Sequence, residues 1–462
     1  MHLSMGRLAA AVMSLSLLGL APAQTAPSDA AGPETARRAY VGETGGNKSF
    51  NLKLTNLPDG TIRATWWTNV KTRSITKWVI KTSTTRRMDQ FVKGYKVRSA
   101  GTRSAILRPA SLVTPASGDY TFVKLYMYPK RMKKGARPFE SATWWIRPTT
   151  TAVPAGTGRV LVGAFNVRTW NNESGPDVFR WSNRRANVTR EILESGAGVV
   201  GIQEASGSAD RGYGPLRQRD VIANDLAPAG WKIVTPIDPT RRPAIGERVD
   251  PGYYVHAGDT KPVKTVDGLQ GTRILYDADD YTLLKNGYID AGRPAGSTAT
   301  VWIPWARFEQ KSTGLRFKFV SVHLSHAADP QRGPYRMAAL RVAETQRIVK
   351  LVDNLNTSYP GEQSIVVGDM NSTIYTFPNN GVHREFVRSG FYDAFSTNDL
   401  ASADRPTTNS FVFPVKKSPQ RRDYILTKGG PTGSFRYVNR VYQNKALTAS
   451  DHYMQVAELP IG

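Results

Sequence analysis

The sequence predicts an α/β domain built on mixed sheets, preceded by a smaller all-β sandwich. From residue 159 onward apolar β runs interleave with stretches of helical period, whereas between 39 and 147 only alternating runs occur. A Pro/Thr/Gly-rich stretch, PTTTAVPAGTG at 148–158, separates the two patterns and reads as a linker. At 462 residues and 40% hydrophobic content, the chain suits more than one packed core.

Arg7, the apolar run LAAAVMSLSLLGLA (8–21) and Ala21-Pro22-Ala23 have the form of a secretory signal peptide over 1–23. A secreted, extracellular protein is therefore expected, and the run is short for a membrane span. Residues 24–38, rich in Ala, Pro, Ser and Gly, read as a tail. In 39–147 the runs FNLKL, TIRATWW, TKWVIKTS, YKVRSA, YTFVKLYMY and SATWWIR are separated by turns such as Pro58-Asp59-Gly60. About seven short strands in about 110 residues suit a β-sandwich. Trp66, Trp67, Trp78 and the segment LVTPASGDYTF (112–122) make this stretch resemble a fibronectin type III or similar immunoglobulin-like domain. In that resemblance Tyr120 takes the tyrosine-corner position, and the aromatic residues are core.

From 159 the expected strands are RVLVGAFNV (159–167), GVVGIQEA (198–205), TRILYDA (272–278), ARFEQ (306–310), RFKFVSVHL (316–324), SIVVGDM (364–370), RDYILTKG (422–429) and YMQVAEL (453–459). Helices are expected over 184–196, near 215–227 and across 335–356. Several strands follow one another with no helix between them. That pattern suits a two-layer mixed-sheet core covered by helices, not a purely parallel sheet.

The chain holds no cysteine, which excludes disulfides, thiol nucleophiles and Cys metal sites. Metal ligands must be carboxylates, amides and His, a donor set that points to hard cations such as Mg²⁺ or Ca²⁺. The net charge is +25, and residues 36–150 carry 23 Lys and Arg against five Asp and Glu, or +18. Such an excess on about a hundred residues fits an anionic partner: nucleic acid, anionic lipid or an acidic wall polymer. The loop KRMKKGAR (130–137) is its sharpest cluster.

Six segments place polar residues where an apolar run ends: GAFNVRT, GIQEA, SVHLSH, VVGDMNS, RRDYIL and SDHYMQV. Open sheets collect ligand-binding groups at such ends. They supply Asn166, Glu204, His323, Asp369, Asn371, Asp423, Asp451 and His452. Phosphodiester hydrolysis needs those residue types: carboxylates and an amide to hold a cation, and a His backed by an Asp as base.

In this order and spacing the six segments resemble the endonuclease/exonuclease/phosphatase superfamily over about 158–462, with the deoxyribonuclease I subgroup the most similar. The resemblance implies a four-layer α/β sandwich. It implies Glu204 as principal metal carboxylate with Asn166 and Asp451 in support, and Mg²⁺ as cofactor with Ca²⁺ or Mn²⁺ as alternatives. It further implies His452 as the residue that activates water, oriented by Asp423, and Asp369 and Asn371 as the pair that holds nucleophile and phosphate. His323 would stabilise the phosphate or protonate the leaving group, and Arg168 would touch backbone phosphate. That subgroup has a Glu before the strand read here as TRILYDA, where this chain has Gln270. The stretch 236–271, with Arg241, Arg242, Arg248 and Lys261, has no clear counterpart. His256, His326 and His383 are expected to be structural or exposed.

The leading expectation is an extracellular nuclease acting on DNA or RNA, with the basic N-terminal domain holding phosphates. A sphingomyelinase-like phospholipase C, with Trp302 and Trp305 of VWIPW at a membrane, is the first alternative, although VWIPW reads more readily as a strand. A non-catalytic surface-binding protein is the second.

Overall fold

The computed structural model describes residues 39–40, 49–57, 61–147 and 153–462, apart from 86, 91, 98, 110–112, 133–134, 142, 171–175, 206–215, 235–270, 293–300, 327–332, 376–377, 379, 398, 417 and 419. The expected signal peptide, part of the 130–137 loop, Gln270 and the four basic residues of 236–271 lie outside the described residues, as does the side chain of Trp302.

Two sheets stack at the centre of the larger unit. One has seven strands in the order Trp231–Ile233, Arg273–Asp277, Val199–Gln203, Gly158–Asn166, Gln455–Ile461, Arg436–Asn439 and Leu400–Ala401. The other has six: Tyr281–Gly292, Val301–Gln310, Arg316–His323, Gln363–Asp369, Asp423–Lys428 and Tyr392–Asp393. Both mix parallel and antiparallel pairs. Their central strands are apolar on both faces, as the sequence of VLVGAF and SIVVG requires. One face of each sheet meets the other through Val162, Ala164, Phe319, Ile365, Val367 and Ile425.

The outer faces are covered by helices. Trp181–Glu194 and Gln218–Leu226 cover the first sheet, burying Val188, Ile192, Val221 and Ile222 against Phe165, Val200 and Ile202. Gly333–Ser358 and Gly381–Arg388 cover the second, burying Ile348, Val352 and Phe386 against Val320, Val366 and Leu426. The result is a four-layer α/β/β/α sandwich. VWIPW forms a strand within Val301–Gln310, with Trp305 packed on this last core.

Residues 39–147 form two further sheets. Ala39–Tyr40, Ser49–Asn56, Ile62–Thr68 and Ser104–Leu107 make one. Lys93–Val97, Ile75–Ser83, Thr121–Pro129 and Phe139–Glu140 make the other, where Trp144–Ile146 also pairs with Thr121–Pro129. Alternation decides which tryptophans are core. Trp66 and Trp78 are fully buried with ring centroids 5.8 Å apart, while Trp67 points outward and is 56% exposed.

The two units share a buried contact. Phe122 of the sandwich joins the core under helix Gly333–Ser358, its ring 5.3 Å from Tyr375. Tyr120, the residue expected at a tyrosine corner, also turns its ring to Tyr375, at 5.8 Å. Arg147 donates to the carbonyls of Phe395 and Thr397, each at 2.8 Å. His383 is wholly buried, its Nδ1 3.3 Å from Asp119 of the sandwich and its Nε2 2.8 Å from Asp393. Arg421 completes the cluster with bonds of 3.2 and 2.7 Å to Asp393.

Burial alone would lower His383, but Asp119 and Asp393 outweigh it and push the imidazole up to about 9. A raised His pKa contributes stability in full below its ordinary value of 6.5, and that contribution is lost as pH rises through about 9. Asp393 is shifted the other way. Burial opposes, but Arg421 and His383 hold it well below the usual carboxylate range, so its contribution is lost only in strong acid. The calorimetric midpoint is therefore expected to fall between pH 6.5 and 9 by more in the wild type than in His383→Gln. The difference corresponds to at most about 3 kcal/mol, and parallel declines would contradict this reading of the contact.

Candidate active site

Strand register assembles the site. In the six-stranded sheet His323 pairs with Asp369, and Asp369 with Asp423, so three of the expected residues stand in one row at strand ends. In the seven-stranded sheet Asn166 pairs with Gln203, and Glu204 follows at once. Gln455–Ile461 runs antiparallel to Gly158–Asn166, which returns residues 450–452 to the same end. There the Ser450 hydroxyl donates to the Asn166 carbonyl at 2.6 Å.

Gly368 keeps the His323–Asp369 rung in register. Its φ is +141°, and an added Cβ would lie 1.9 Å from the Val322 carbonyl oxygen. Gly368→Ala is expected to unfold the chain several degrees earlier and to abolish turnover, since the clash is with backbone that cannot yield. A thermal melt alongside an activity assay checks it.

Asp369 is the hub. His323 Nε2 and His452 Nε2 both lie 3.7 Å from the same oxygen, Asp369 Oδ2. Asn166 Nδ2 donates to that oxygen at 3.1 Å and to Glu204 Oε1 at 3.0 Å. On the other side of the ring, His452 Nδ1 is 3.0 Å from both oxygens of Asp423, which fixes the ring and leaves Nε2 facing Asp369. The backbone amide of Asn371 donates to Asp369 Oδ1 at 2.7 Å. Its side-chain Nδ2 donates to the Leu324 carbonyl at 3.0 Å and lies 3.0 Å from His323 Nε2. Arg168 reaches between Glu204 and Asp451, with Nη1 3.8 and 3.6 Å from their oxygens.

Three site residues have left-handed backbone: Arg168, Glu204 and Asn371, with φ of 57°, 58° and 47°. Such positions cost about 1–3 kcal/mol each and persist only where the surroundings enforce them. Here they are enforced. The amide of Arg168 donates to Asn166 Oδ1 at 3.0 Å, and the amide after Glu204 donates to the Gly271 carbonyl at 3.0 Å. The buried guanidinium of Arg184 donates to the carbonyls of Val167, Arg168 and Ala449.

Charge at the site is concentrated and only partly balanced. Burial would raise the Glu204 carboxyl, yet His323, the Asn166 amide, His452 and Arg168 together pull it down to about 2. Burial would likewise lower His452, but Asp423, Asp369 and Asp451 push it up to about 10. Burial raises the Asp423 carboxyl as well, so the buried pair titrates as one unit. Four carboxylates converge here, and Glu204, His323 and Asp369 offer ligand atoms within 4.8 Å of one another, as do Asp369, Asp423 and His452. That oxygen-rich set fits a hard divalent cation.

All nine expected residues thus lie at one end of the two sheets. Within the donor set, however, Asn166 enters through its amide nitrogen, because the Arg168 amide occupies its oxygen. Asp451 stands across the Arg168 guanidinium and belongs to neither ligand cluster among the described residues. Of the other histidines expected to be structural or exposed, His326 is exposed, His383 is structural and His256 lies outside the described residues. Sequence reasoning missed the scaffold: Arg184, Gln203 bonded to Ser321 across the sheets at 3.1 Å, and Thr407, whose hydroxyl accepts from the amides of Arg422 and Asp423. Ser450 was legible inside its motif; Arg184 and Thr407 carry no local signal.

Solved structures of similar fold include an endonuclease/exonuclease/phosphatase family protein from Bacteroides thetaiotaomicron, with 17% identity over 66% of this chain and 99% of that one, at a TM-score of 0.48. Another from Bacteroides vulgatus has 17% identity over 66% and 100%, at 0.47. A mannosyl-6-phosphatase from Bacteroides thetaiotaomicron has 17% identity over 65% and 99%, at 0.46. No curated protein matches the chain. The Endonuclease/Exonuclease/phosphatase family pattern matches residues 169–452, more than half the chain and inclusive of every site residue but Asn166 and Arg168. The chain therefore belongs to the endonuclease/exonuclease/phosphatase family, whose members hydrolyse phosphoester bonds and are generally dependent on divalent metal ions.

Proposed function

We propose that this protein is a secreted, divalent-cation-dependent phosphodiesterase whose substrate is extracellular DNA. The observation that carries the reading is the pair of imidazoles whose Nε2 atoms flank one oxygen of Asp369 at 3.7 Å. Displacement at phosphorus needs a base for the incoming water and a donor near the departing oxygen, roughly in line. Two histidines around a single carboxylate supply both. His452 takes the proton from water at Nε2, and Asp423 holds the ring and stabilises the imidazolium. Asp369 positions the water, and Asn371 and His323 meet the phosphoryl oxygens and the leaving group. Glu204 and Asp369, with Asp451 nearby, would hold the cation. When bound, it supplies positive charge that polarises the phosphoryl group, neutralises the carboxylates and competes with the proton on His452.

Three features favour a nucleic acid as substrate. The motifs resemble the deoxyribonuclease I subgroup, Arg168 stands at the cluster, and the N-terminal unit is strongly basic. That unit we read as a fibronectin type III-like module, a reading supported by its paired four- and five-stranded sheets. Mg²⁺ is the proposed cation, and the apolar run at 8–21 supports secretion.

The test compares rates on a nucleotide p-nitrophenyl phosphodiester, p-nitrophenyl phosphate and sphingomyelin. The proposal expects the nucleotide diester to be hydrolysed at least tenfold faster than the other two. Preference for the monoester or for sphingomyelin would move the substrate class.

A further inference from the structure

The outward face of the five-stranded sheet carries chemistry that the active centre does not use. Along Ile75–Ser83 and Thr121–Pro129, Trp78, Ile80, Val123 and Leu125 point into the sandwich core. The alternate positions hold Lys77, Lys81, Lys124, Tyr126 and Tyr128, and Lys96 stands beside Val79 in the same row. Lys77 lies 4.7 Å from the Tyr128 ring centroid, and Lys81 and Lys124 lie 5.0 and 5.9 Å from that of Tyr126. The ammonium groups themselves lie over the rings, which holds the side chains across the face. Glu140, 2.9 Å from Lys124, is the one acid of this face among the described residues. Asp89 is bound to Thr85, and Asp119 faces His383.

The strand that carries this face reaches the unit bearing the active site. Phe122 has the same outward parity as Lys124, and its ring meets Tyr375, four residues beyond Asn371. From Phe122 the face runs to Tyr128, six residues or about 20 Å along the strand. The row of cations therefore starts next to the contact with Tyr375, in the segment that also bears Asn371.

We propose that this lysine–tyrosine face is a track for the phosphate backbone of the nucleic-acid substrate outside the cleavage site, an inference that rests on the nuclease reading. A flat cationic strip suits a linear polyphosphate. A membrane-binding face would add an exposed apolar anchor on its strands; the exposed Trp67 and Ile106 belong to the opposite sheet, and the exposed Val92 and Met132 lie in the loops before Lys93–Val97 and after Thr121–Pro129.

The experiment uses the full chain with Lys77, Lys81, Lys96 and Lys124 all changed to Gln, and a companion with all four changed to Arg. Affinity for a 30-base-pair duplex is measured in EDTA over a range of salt. Rates on plasmid and on bis(p-nitrophenyl) phosphate are measured with Mg²⁺. The Gln variant is expected to bind at least tenfold more weakly at low salt, with a log–log salt slope shallower by about one per lysine that contacts phosphate. Its ratio of plasmid to small-diester rate should fall, while the Arg variant keeps wild-type values. Equal affinity and slope in the Gln variant would overturn the track. So would a loss confined to phosphatidylserine vesicles, which would make the face a lipid contact. Failure of the nuclease reading shows separately, as a wild type that hydrolyses the small diester but never plasmid; the salt slopes still decide the track.

Discussion

His452→Ala is expected to lower kcat on DNA by on the order of 10³-fold, the range over which positioned general bases act. Its Nε2 faces the hub oxygen of Asp369, and its Nδ1 is fixed by Asp423. Among the described residues His323 is the other imidazole at the site, and its Nε2 is bonded to Asn371. Truncation also strips Asp423 of its imidazole partner, so some loss of stability accompanies it. His452→Gln separates the two effects, because its amide can still donate to Asp423. Both variants should lose turnover while keeping DNA affinity in EDTA, read by fluorescence anisotropy. Wild-type turnover in His452→Gln would remove His452 from the mechanism.

Asp393→Ala is expected to cost about 3–5 kcal/mol of unfolding free energy, the usual consequence of leaving buried charge without its partner. Asp393 is fully buried and receives two bonds from Arg421, one from the Phe395 amide and one from His383. Removing it leaves a guanidinium and an imidazolium in a core where Asp119 alone can respond. The loss should spread to both units, since the cluster lies at their contact, and to the active site, since Arg421 is two residues from Asp423. Urea unfolding checks it: a change under about 1 kcal/mol would mean that the cluster is solvated and the contact weak.

The chemistry was legible because it is local. Each catalytic group follows directly on an apolar run, and alternation within that run determines the end of the sheet at which the group emerges. The long helix Gly333–Ser358 and strands such as Gly158–Asn166 and Gln363–Asp369 announce themselves by period, whereas Tyr281–Gly292 and Arg436–Asn439 were not read from the sequence. The short strands Tyr392–Asp393 and Leu400–Ala401 do not, for two residues carry no period. Nor does Gly381–Arg388, which is only eight residues long. The contact between units was illegible for another reason. Tyr120 and Phe122 read as sandwich core, and His383 as structural or exposed, because nothing near them in sequence names Tyr375 or Asp393. Asn166 shows the limit within a motif. Its presence was readable, but which end of its amide faces the carboxylates depends on the fold of the next two residues.

The most direct test of metal-dependent phosphodiester cleavage is the nicking of supercoiled plasmid by the wild-type chain, followed over time with Mg²⁺ present and after EDTA is added. Conversion to open-circular DNA is expected to stop on chelation and to resume when Mg²⁺ is restored in excess. Plasmid left intact in Mg²⁺, or nicked equally well in EDTA, would contradict metal-dependent cleavage.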